Sequence, residues 1–334
     1  MQHTFAYVSC GEGREIDVFQ LDPVSGGLQL RQRVMTEGMP VPMRVRSDVQ
    51  RLYVGMRMSN ALQAFSIDPE SGLLATLGGV SAPGSPVYVS VDPERRLAFL
   101  PSYGDNQLSV FPLDDKGLPL AASQTLLDLP RAHAACIDPG GRWLLVPTLG
   151  ADVICIFRIT GAGRLEAADP PTTAVTAGSG PRHPVFSKNG RWVFCLNELN
   201  GCIDTFEFDA QRGALELRHS LSMMPPDFSG APWTAELRIR PDGAFLFATD
   251  RRSSTIATLA IDSRTGGLSV VEHTQTEEQP RGMDIDPSGR WLLCAGQQSA
   301  ALTVYAIDAA SGHLLPCERY RTGKEPICIE MAWI

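Results

Sequence analysis

The sequence predicts an all-β fold in which seven copies of one four-stranded unit follow each other along the chain. One hairpin signal, in which an acidic or hydroxyl residue and a few turn formers precede Gly and then Leu, recurs seven times between residues 22 and 314. The seven leucines are spaced by 44 to 53 residues. The segments between the turns are short, apolar and rich in β-branched and aromatic residues, and none shows a sustained period of 3.6 residues. This pattern is typical of strands and not of helices.

A second turn, followed by a basic residue and an apolar run, occurs six times, first at residues 47–52 and last at residues 286–291. The two turns divide each repeat into four antiparallel strands, and a repeat of ~45 residues is the size of one β-propeller blade. The first repeat begins at the strand of residues 5–9, so it lacks a first strand, and residues 326–333 resemble one. We therefore predict a single domain, residues 1–334, that is a seven-bladed β-propeller. Its C-terminal strand is expected to pair with the N-terminal blade and close the ring, which removes the open sheet edges.

Other repeat folds agree less well with the sequence. A sandwich would have far fewer strands than roughly 28, a leucine-rich solenoid would have repeats of about 20–29 residues, and the WD40 and kelch signatures do not recur. The longest excursion, residues 223–233, lies between blades five and six and accounts for the widest spacing. It is interpreted equally well as a flap over a site or as a packing insertion.

Composition excludes several classes of partner. The formal net charge is −8 and the basic residues are scattered, which argues against nucleic acid or an anionic membrane as a partner. The eight cysteines lie mostly in apolar runs without a Cys-x-x-Cys or a zinc-type Cys/His pair, so we expect reduced thiols and no metal site. The N-terminus lacks a charged segment followed by an apolar one, and no run of ~18 apolar residues occurs. A cytoplasmic protein without a cofactor is the prediction.

Polar residues recur where each first strand begins and each second strand ends. In a four-stranded meander these two positions share one face, so residues from every blade converge on one mouth of the central channel. The starts of the first strands supply Pro42, Pro86, His133, Arg182, His183, Thr234, Glu236 and Arg281. The ends of the second strands supply Ser9, Arg57, Tyr103, Thr148, Asn197, Glu198, Asp250, Arg251 and Gln297. Because guanidinium groups bind carboxylate or phosphate through two hydrogen bonds, this mouth predicts a small anionic ligand.

The charged side chains and histidines among these residues also have structural interpretations. Arg182 and Glu198 lie at the same end of one predicted hairpin, closed by an Asn-Gly turn, and could form a structural ion pair. His133 is equally well a channel wall residue or a base, and Arg251 and Arg281 could be solvated rim charges. His183 follows Arg182 directly, so strand alternation predicts that it points away from the channel. No nucleophile elbow, phosphate loop or zinc-protease motif occurs, which leaves general acid–base chemistry with electrostatic stabilisation.

Several motifs resemble one known family. Gly-Pro-Arg-His at residues 180–183, Asn-Glu-Leu at residues 197–199, Gln-Pro-Arg-Gly at residues 279–282 and Asp-Arg at residues 250–251 resemble the seven-bladed lactonase family. That family includes bacterial 6-phosphogluconolactonases of the propeller type and fungal carboxy-muconate lactonizing enzymes. Two departures are Pro184, where the family usually has an apolar residue with a free N–H, and Ser187-Lys188 in place of a common His-Pro. Proline is tolerated at a strand edge.

The resemblance implies hydrolysis of 6-phospho-D-glucono-1,5-lactone to 6-phosphogluconate, a reaction of the pentose phosphate pathway. By similarity, the active-site positions are His133, Arg182, Glu198 and Arg251. Either His133 or Glu198 is then the general base, while Arg182 and Arg251 stabilise the oxyanion or hold the phosphate. The other expected substrate-binding residues, of which Arg281 and Arg57 are second candidates for the phosphate, are Arg281, Arg57, Tyr103, Asn197, Asp250 and Gln297.

Two other functions stay open at this point. The same base and arginines suit a cycloisomerase that acts on a carboxy-muconolactone, and many propellers are non-catalytic binding modules. The expected partner is a small anionic sugar lactone, with neither nucleic acid nor membrane bound, and the chain is expected to be a monomer or a weak homodimer.

Overall fold

The computed structural model describes residues 3–92 and 94–334. The predicted domain and turns also include Met1, Gln2 and Pro93, which lie outside the described residues. Within the described part, 28 strands form seven four-stranded sheets, and the 3-10 turn Ser47–Val49 is the one helical segment. Strands within each sheet are antiparallel. The prediction of a seven-bladed propeller with four antiparallel strands in each blade is therefore confirmed.

The strands follow the blades in chain order. Blade 1 contains β1 (Thr4–Cys10), β2 (Glu15–Leu21) and β3 (Leu28–Met35). Blade 2 contains β4 (Met39–Arg46), β5 (Arg51–Arg57), β6 (Ala61–Ile67) and β7 (Leu74–Ser81). Blade 3 contains β8 (Ser90–Asp92), β9 (Leu97–Ser102), β10 (Gln107–Pro112) and β11 (Gln124–Leu126). Blade 4 contains β12 (Cys136–Ile137), β13 (Trp143–Thr148), β14 (Val153–Ile159) and β15 (Leu165–Ala174).

The remaining blades have the same plan. Blade 5 contains β16 (Pro181–Phe186), β17 (Trp192–Asn197), β18 (Cys202–Asp209) and β19 (Ala214–Ser222). Blade 6 contains β20 (Thr234–Ile239), β21 (Phe245–Asp250), β22 (Thr255–Ile261) and β23 (Leu268–Gln275). Blade 7 contains β24 (Pro280–Ile285), β25 (Trp291–Gly296), β26 (Ala301–Ile307) and β27 (Leu314–Arg321), and β28 (Pro326–Trp333) follows it.

The ring is closed by the last strand. β28 pairs with β1, with Thr4 opposite Trp333 and Ser9 opposite Cys328, and so completes blade 1 as its innermost strand. This is the closure that the missing first strand of the first repeat predicts, and it is confirmed.

The hydrophobic core lies between neighbouring blades. The glycine of the repeated hairpin lets a blade pack closely against an aromatic ring of the blade before it. Gly213, in the outer hairpin of blade 5, has a φ of 67°, and a Cβ added there would lie 2.4 Å from the ring of Trp143 in blade 4. The indole N–H of Trp143 donates to the carbonyl of Ala210 in the same hairpin at 3.0 Å. Gly266 meets Trp192 of blade 5 in the same way. The Gly of the repeat is therefore required both for its left-handed backbone and for the aromatic ring packed against it.

All eight cysteines are free, and four of them, Cys10, Cys155, Cys195 and Cys294, are buried. The described part of the chain contains no helix with the length and hydrophobicity of a membrane span.

Candidate active site

Two arginines from neighbouring blades share one carboxylate at the mouth of the channel. Arg182 donates from Nε to Glu198 Oε2 at 2.8 Å, and Nη2 of Arg251 lies 3.3 Å from the same oxygen. Arg182 lies near the start of β16 and Glu198 directly follows β17, so both are at the open end of this hairpin in blade 5, and Arg251 directly follows β21 in blade 6. The sequence prediction that Arg182 and Glu198 finish at the same end of one hairpin is confirmed.

Glu198 is fully engaged by its neighbours. Its second oxygen, Oε1, accepts a hydrogen bond of 3.2 Å from the indole N–H of Trp233. The residue is 9% exposed. Because both carboxylate oxygens already accept hydrogen bonds or ion pairs, this side chain is built to hold the two arginines in place.

The two guanidinium groups are also held by backbone carbonyls. Arg251 donates from Nε to the carbonyl of Trp233 at 3.1 Å and from Nη2 to the carbonyl of Thr234 at 2.9 Å. Its guanidinium carbon lies 3.7 Å from the centroid of the Trp233 ring, a cation–π contact. Arg182 donates from Nη1 to the carbonyl of Ala235. Both cations are therefore oriented before any ligand arrives.

His133 lies beside this pair, in the segment that leads into β12, the innermost strand of blade 4. It is 5% exposed, and its Nδ1 is buried without a hydrogen-bond partner among the described residues. The ring packs edge-on against His183, with centroids 5.1 Å apart, and against Tyr103 at 6.0 Å. Burial and then the positive charge of Arg182 hold the pKa of His133 well below its usual range. The imidazole is thus neutral at physiological pH.

The predicted direction of His183 is wrong. The register of β16 and β17 shifts between Pro181 and His183, and this bulge breaks the strict alternation on which the prediction depended. His183 therefore lines the same channel cavity as Arg182, and its Nδ1 lies 2.9 Å from Glu236 Oε1. Burial and then the charge of Arg182 lower the pKa of His183 to about 4, although Glu236 opposes this shift.

Further along the channel, buried charges form a chain of ion pairs. Arg238 lies 3.5 Å from Glu236, 3.1 Å from Asp284 and 3.6 Å from Glu330. Burial raises the pKa of Glu236, but Arg238 and His183 outweigh that effect and hold it at about 2. The channel cavity beside these groups measures only about 40 Å³, which is room for a few water molecules. This volume is smaller than that of a sugar lactone.

Arg57 and Arg281 are two further arginines at this mouth, and Arg281 lines the same cavity as Arg182. Arg57 ends β5 in blade 2, and Arg281 lies in β24 of blade 7, so the two flank blade 1. Arg57 donates from Nε to the carbonyl of Pro86 at 3.3 Å. Among the described residues, neither arginine has a carboxylate within 4.0 Å, and the guanidinium of Arg281 makes no hydrogen bond to the protein.

Of the remaining predicted residues, Tyr103 and Gln297 contact other predicted or cavity-lining side chains, whereas Asn197 and Asp250 hold nearby parts of the protein in place. Tyr103 contacts His133 and carries Arg131 over its ring, and Gln297 donates from Nε2 to Glu325 at 3.1 Å. Asn197 instead donates to Asp204 at 2.8 Å within its own blade. The carboxylate of Asp250 accepts from the backbone N–H groups of Trp233, Arg252 and Ser253, and from the hydroxyl of Ser253. The side-chain groups of Asn197 and Asp250 that form these bonds support the loops around the mouth.

Trp233 is the functional residue that sequence reasoning missed. It closes the excursion of residues 223–233, and no repeat provides a template for its position. Its place at the end of the longest loop was the one available signal.

One group of potential metal ligands comes together away from the arginines. Ligand atoms of Cys10, Glu15 and Asp17 lie within 4.8 Å of one another. Burial and then the charge of Asp17 raise the pKa of the Cys10 thiol far above its usual range, and Asp17 already accepts from the backbone N–H of Gly323 and pairs with Arg33. A protonated thiol is a poor metal ligand, so these residues do not fit a metal site.

Comparison with known proteins agrees with this fold. Residues 4–331 match the family described as Lactonase, 7-bladed beta-propeller. The chain belongs to this family. The motifs at residues 180–183 and 197–199, which suggest it from sequence, contribute Arg182 and Glu198 to the mouth.

Individual proteins are similar to this chain over different lengths. A 6-phosphogluconolactonase of Klebsiella pneumoniae subsp. pneumoniae is 42% identical over 124 residues, and one of Cronobacter sakazakii is 40% identical over 128 residues. Each match spans 38% of the relative's length and 37% or 38% of this chain. Among solved structures, a periplasmic gluconolactonase of Pseudomonas aeruginosa superposes with a TM-score of 0.92 at 26% identity and 99% coverage of both chains. A Lactobacillus plantarum protein superposes with a TM-score of 0.91 at 26% identity, covering 99% of this chain and 100% of that one.

Proposed function

We propose that this lactonase-family protein hydrolyses 6-phospho-D-glucono-1,5-lactone to 6-phosphogluconate. One observation carries the proposal: a buried, neutral His133 lies at the same mouth as Arg182 and Arg251. Glu198 holds these two arginines in place. Its relatives named as 6-phosphogluconolactonases support the choice of a phosphorylated sugar lactone. The excess of arginine at the mouth supports an anionic substrate.

In the proposed reaction His133 takes a proton from a water molecule while that water attacks C1 of the lactone. The carbonyl oxygen becomes an oxyanion, which the guanidinium groups of Arg182 and Arg251 stabilise. The bond between C1 and the ring oxygen then breaks, and the ring oxygen takes the proton from His133. The product is the open-chain acid, whose carboxyl group loses one proton to solvent at neutral pH.

His133 and not Glu198 is the base in this scheme. Both oxygens of Glu198 accept from Trp233, Arg182 or Arg251, so accepting a proton from water would cost those interactions. His133 is neutral, and its low pKa in the free protein is caused partly by the neighbouring arginines. An anionic substrate opposes that positive charge, so binding raises the pKa of His133 and makes it a stronger base.

The proposal is tested by the rate at which the purified protein opens 6-phosphogluconolactone, measured against spontaneous hydrolysis. His133→Gln is expected to lower kcat about 10²-fold or more, the usual contribution of a general base. Arg182→Ala is expected to lower kcat/KM by at least ~10²-fold, as for the loss of an oxyanion donor. Turnover of a carboxy-muconolactone in place of the sugar lactone would identify a cycloisomerase. Turnover of neither compound by folded protein would contradict the proposal and favour a binding module.

A further inference from the structure

Two of the arginines at the mouth have guanidinium groups that make almost no hydrogen bonds to the protein. Arg182 and Arg251 are each held by Glu198 and by backbone carbonyls. Arg281, by contrast, has no hydrogen-bond partner among residues 3–92 and 94–334, and Arg57 uses one of its five N–H groups, toward Pro86. A guanidinium in a partly enclosed site with so few partners has its donors available for a ligand.

Arg57 and Arg281 lie close enough to other cations for their positive charges to repel each other. Burial, Arg182 and then Arg57 lower the pKa of Arg281, while Glu198 and Glu325 act against this shift. Burial likewise lowers the pKa of Arg57, and Glu325 and Arg182 act on it with opposite signs. Arg57, Arg182, Arg251 and Arg281 therefore carry four positive charges, which Glu198, Glu325 and Asp250 offset only in part. A bound anion would relieve this repulsion.

The four arginines come from four different blades, and Arg182 and Arg281 line one cavity. Arg182 and Arg251 belong to blades 5 and 6, whereas Arg57 and Arg281 belong to blades 2 and 7 and flank blade 1. A ligand that engages both pairs can place a reactive carbonyl at Arg182 and Arg251 and an anionic group at Arg57 and Arg281. A sugar lactone with a phosphate on its terminal carbon has this arrangement.

We propose that Arg57 and Arg281 form the phosphate subsite and that they make the enzyme select phosphorylated over unphosphorylated lactones. This inference rests on the proposed function. Guanidinium groups bind phosphate through paired, charge-assisted hydrogen bonds, and two of them match the two negative charges of a phosphate monoester. The lactone carbonyl is uncharged, so it gains little from this second pair of arginines.

Space next to the subsite is open and polar. A cavity of about 580 Å³ lies between blades 7 and 1, and its walls include Gln297, Glu325 and Lys324. Glu325 is part of this wall and accepts from Gln297 at Oε1, and its charge raises the pKa of both Arg57 and Arg281. The walls of amides and carboxylates suit the hydroxyl groups of a sugar.

The experiment measures kcat/KM for 6-phosphogluconolactone and for unphosphorylated glucono-1,5-lactone in the wild type, Arg57→Met and Arg281→Met. For the phosphorylated lactone, each substitution is expected to lower kcat/KM about 10- to 100-fold, the range for a lost hydrogen bond to a charged group. For the unphosphorylated lactone, kcat/KM is expected to change less than about threefold, since no phosphate contact exists to lose. Arg264→Met, which changes an exposed arginine on an outer hairpin of blade 6, is the matched control and is expected to change neither value.

Stability separates a binding role from a structural one. Arg281 has no protein partner to lose and stands near like charges, so the melting temperature of Arg281→Met is expected to equal or exceed that of the wild type. Arg281→Lys retains the charge without the planar fork and is expected to lose part of the phosphate selectivity. Equal losses with both lactones, or unchanged selectivity in folded variants, would overturn the proposed subsite.

Binding measurements keep the subsite distinguishable from the reaction. Calorimetry with 6-phosphogluconate and with inorganic phosphate is expected to show at least about tenfold weaker binding by Arg281→Met than by the wild type. If the wild type opens neither lactone but this difference is found, the proposed function fails and the phosphate subsite stands. If the wild type and Arg281→Met bind both anions equally, the subsite fails whatever the activity.

Discussion

Trp233 donates its indole N–H to Glu198 at 3.2 Å and supports the guanidinium of Arg251 on its ring. The loop of residues 223–233 therefore ends in a side chain that touches both the carboxylate and one of the cations of the mouth. This position favours a role for the loop in arranging the site over a role as a packing insertion alone.

Substitution of Trp233 separates these two contacts. Trp233→Phe keeps an aromatic face for Arg251 but removes the N–H, and we expect kcat to fall about tenfold because one hydrogen bond to a charged group is lost. Trp233→Leu removes both contacts and is expected to lower kcat further. Steady-state kinetics with 6-phosphogluconolactone give kcat and KM separately. Phe228→Leu in the same loop is the control, and a fall in kcat as large as that of Trp233→Phe would argue for a general effect of the loop.

The pH dependence of the reaction should reflect the low pKa of His133. A base acts only when deprotonated, and burial with the nearby Arg182 keeps His133 deprotonated well below pH 6.5 in the free protein. Since kcat/KM reports the free enzyme, we expect it to stay level as pH falls from 7.5 through about 6.5. Initial rates corrected for spontaneous hydrolysis measure this profile. Half-maximal kcat/KM near pH 6.5 would mean that the base is an ordinary histidine and not His133 in the environment seen here.

Protonation of the His183–Glu236 pair should make the protein less stable in acid. The folded-state pKa of His183 is about 4, below the usual 6.5, and that of Glu236 is about 2, below the usual 4.5. In both cases the unfolded chain binds more protons, so the free energy of unfolding falls first between pH 6.5 and 4 through His183 and then between pH 4.5 and 2 through Glu236.

Urea titrations at pH 7.5, 6 and 5 measure this slope. His183→Gln is expected to have a smaller loss of unfolding free energy over that interval than the wild type, by about 1 kcal/mol or more. His219→Gln, at an exposed position on β19, serves as the control. Parallel slopes for wild type and His183→Gln would exclude His183 as a source of the acid sensitivity.

The glycine of the repeated hairpin should be intolerant of a side chain. Gly213→Ala forces a Cβ into the ring of Trp143 and a left-handed backbone onto alanine, so we expect a loss of about 2–4 kcal/mol in unfolding free energy. Gly161→Ala, at an exposed turn where a Cβ meets nothing within 4 Å, is expected to be nearly neutral. Chemical denaturation of both variants measures the difference. Similar free energies for the two variants would show that the blades adjust to the added methyl group.

The repeat explains why so much of the fold follows from sequence. The Gly of each hairpin and the aromatic residue of the neighbouring blade are tied to one backbone geometry, as for Gly213 and Trp143, and that geometry recurs. The Arg182–Glu198 contact was predictable for a related reason, because hairpin pairing determines which strand ends meet.

The parts that sequence reasoning missed depend on departures from the repeat. The bulge beside His183 changes the direction of one side chain without a distinct residue pattern, and it brings His183 to Glu236, which is 53 residues away in the next blade. Trp233 belongs to an insertion, so no other blade indicates where its indole lies. Whether a predicted arginine is paired or free, as for Arg182 and Arg281, depends on contacts between blades that strand patterns do not encode.

Pairing between β1 and β28 also has a consequence for biosynthesis. The ribosome makes Cys10 roughly 300 residues before Pro326, which at about 5–20 residues per second is an interval of about 15–60 s. Throughout that interval the backbone groups of β1 that later bond to β28 have no partner, although the middle blades can already form. The blade translated first is thus the one completed last, and a nascent chain stalled before Pro326 would present a bare strand to other polypeptides in the cell.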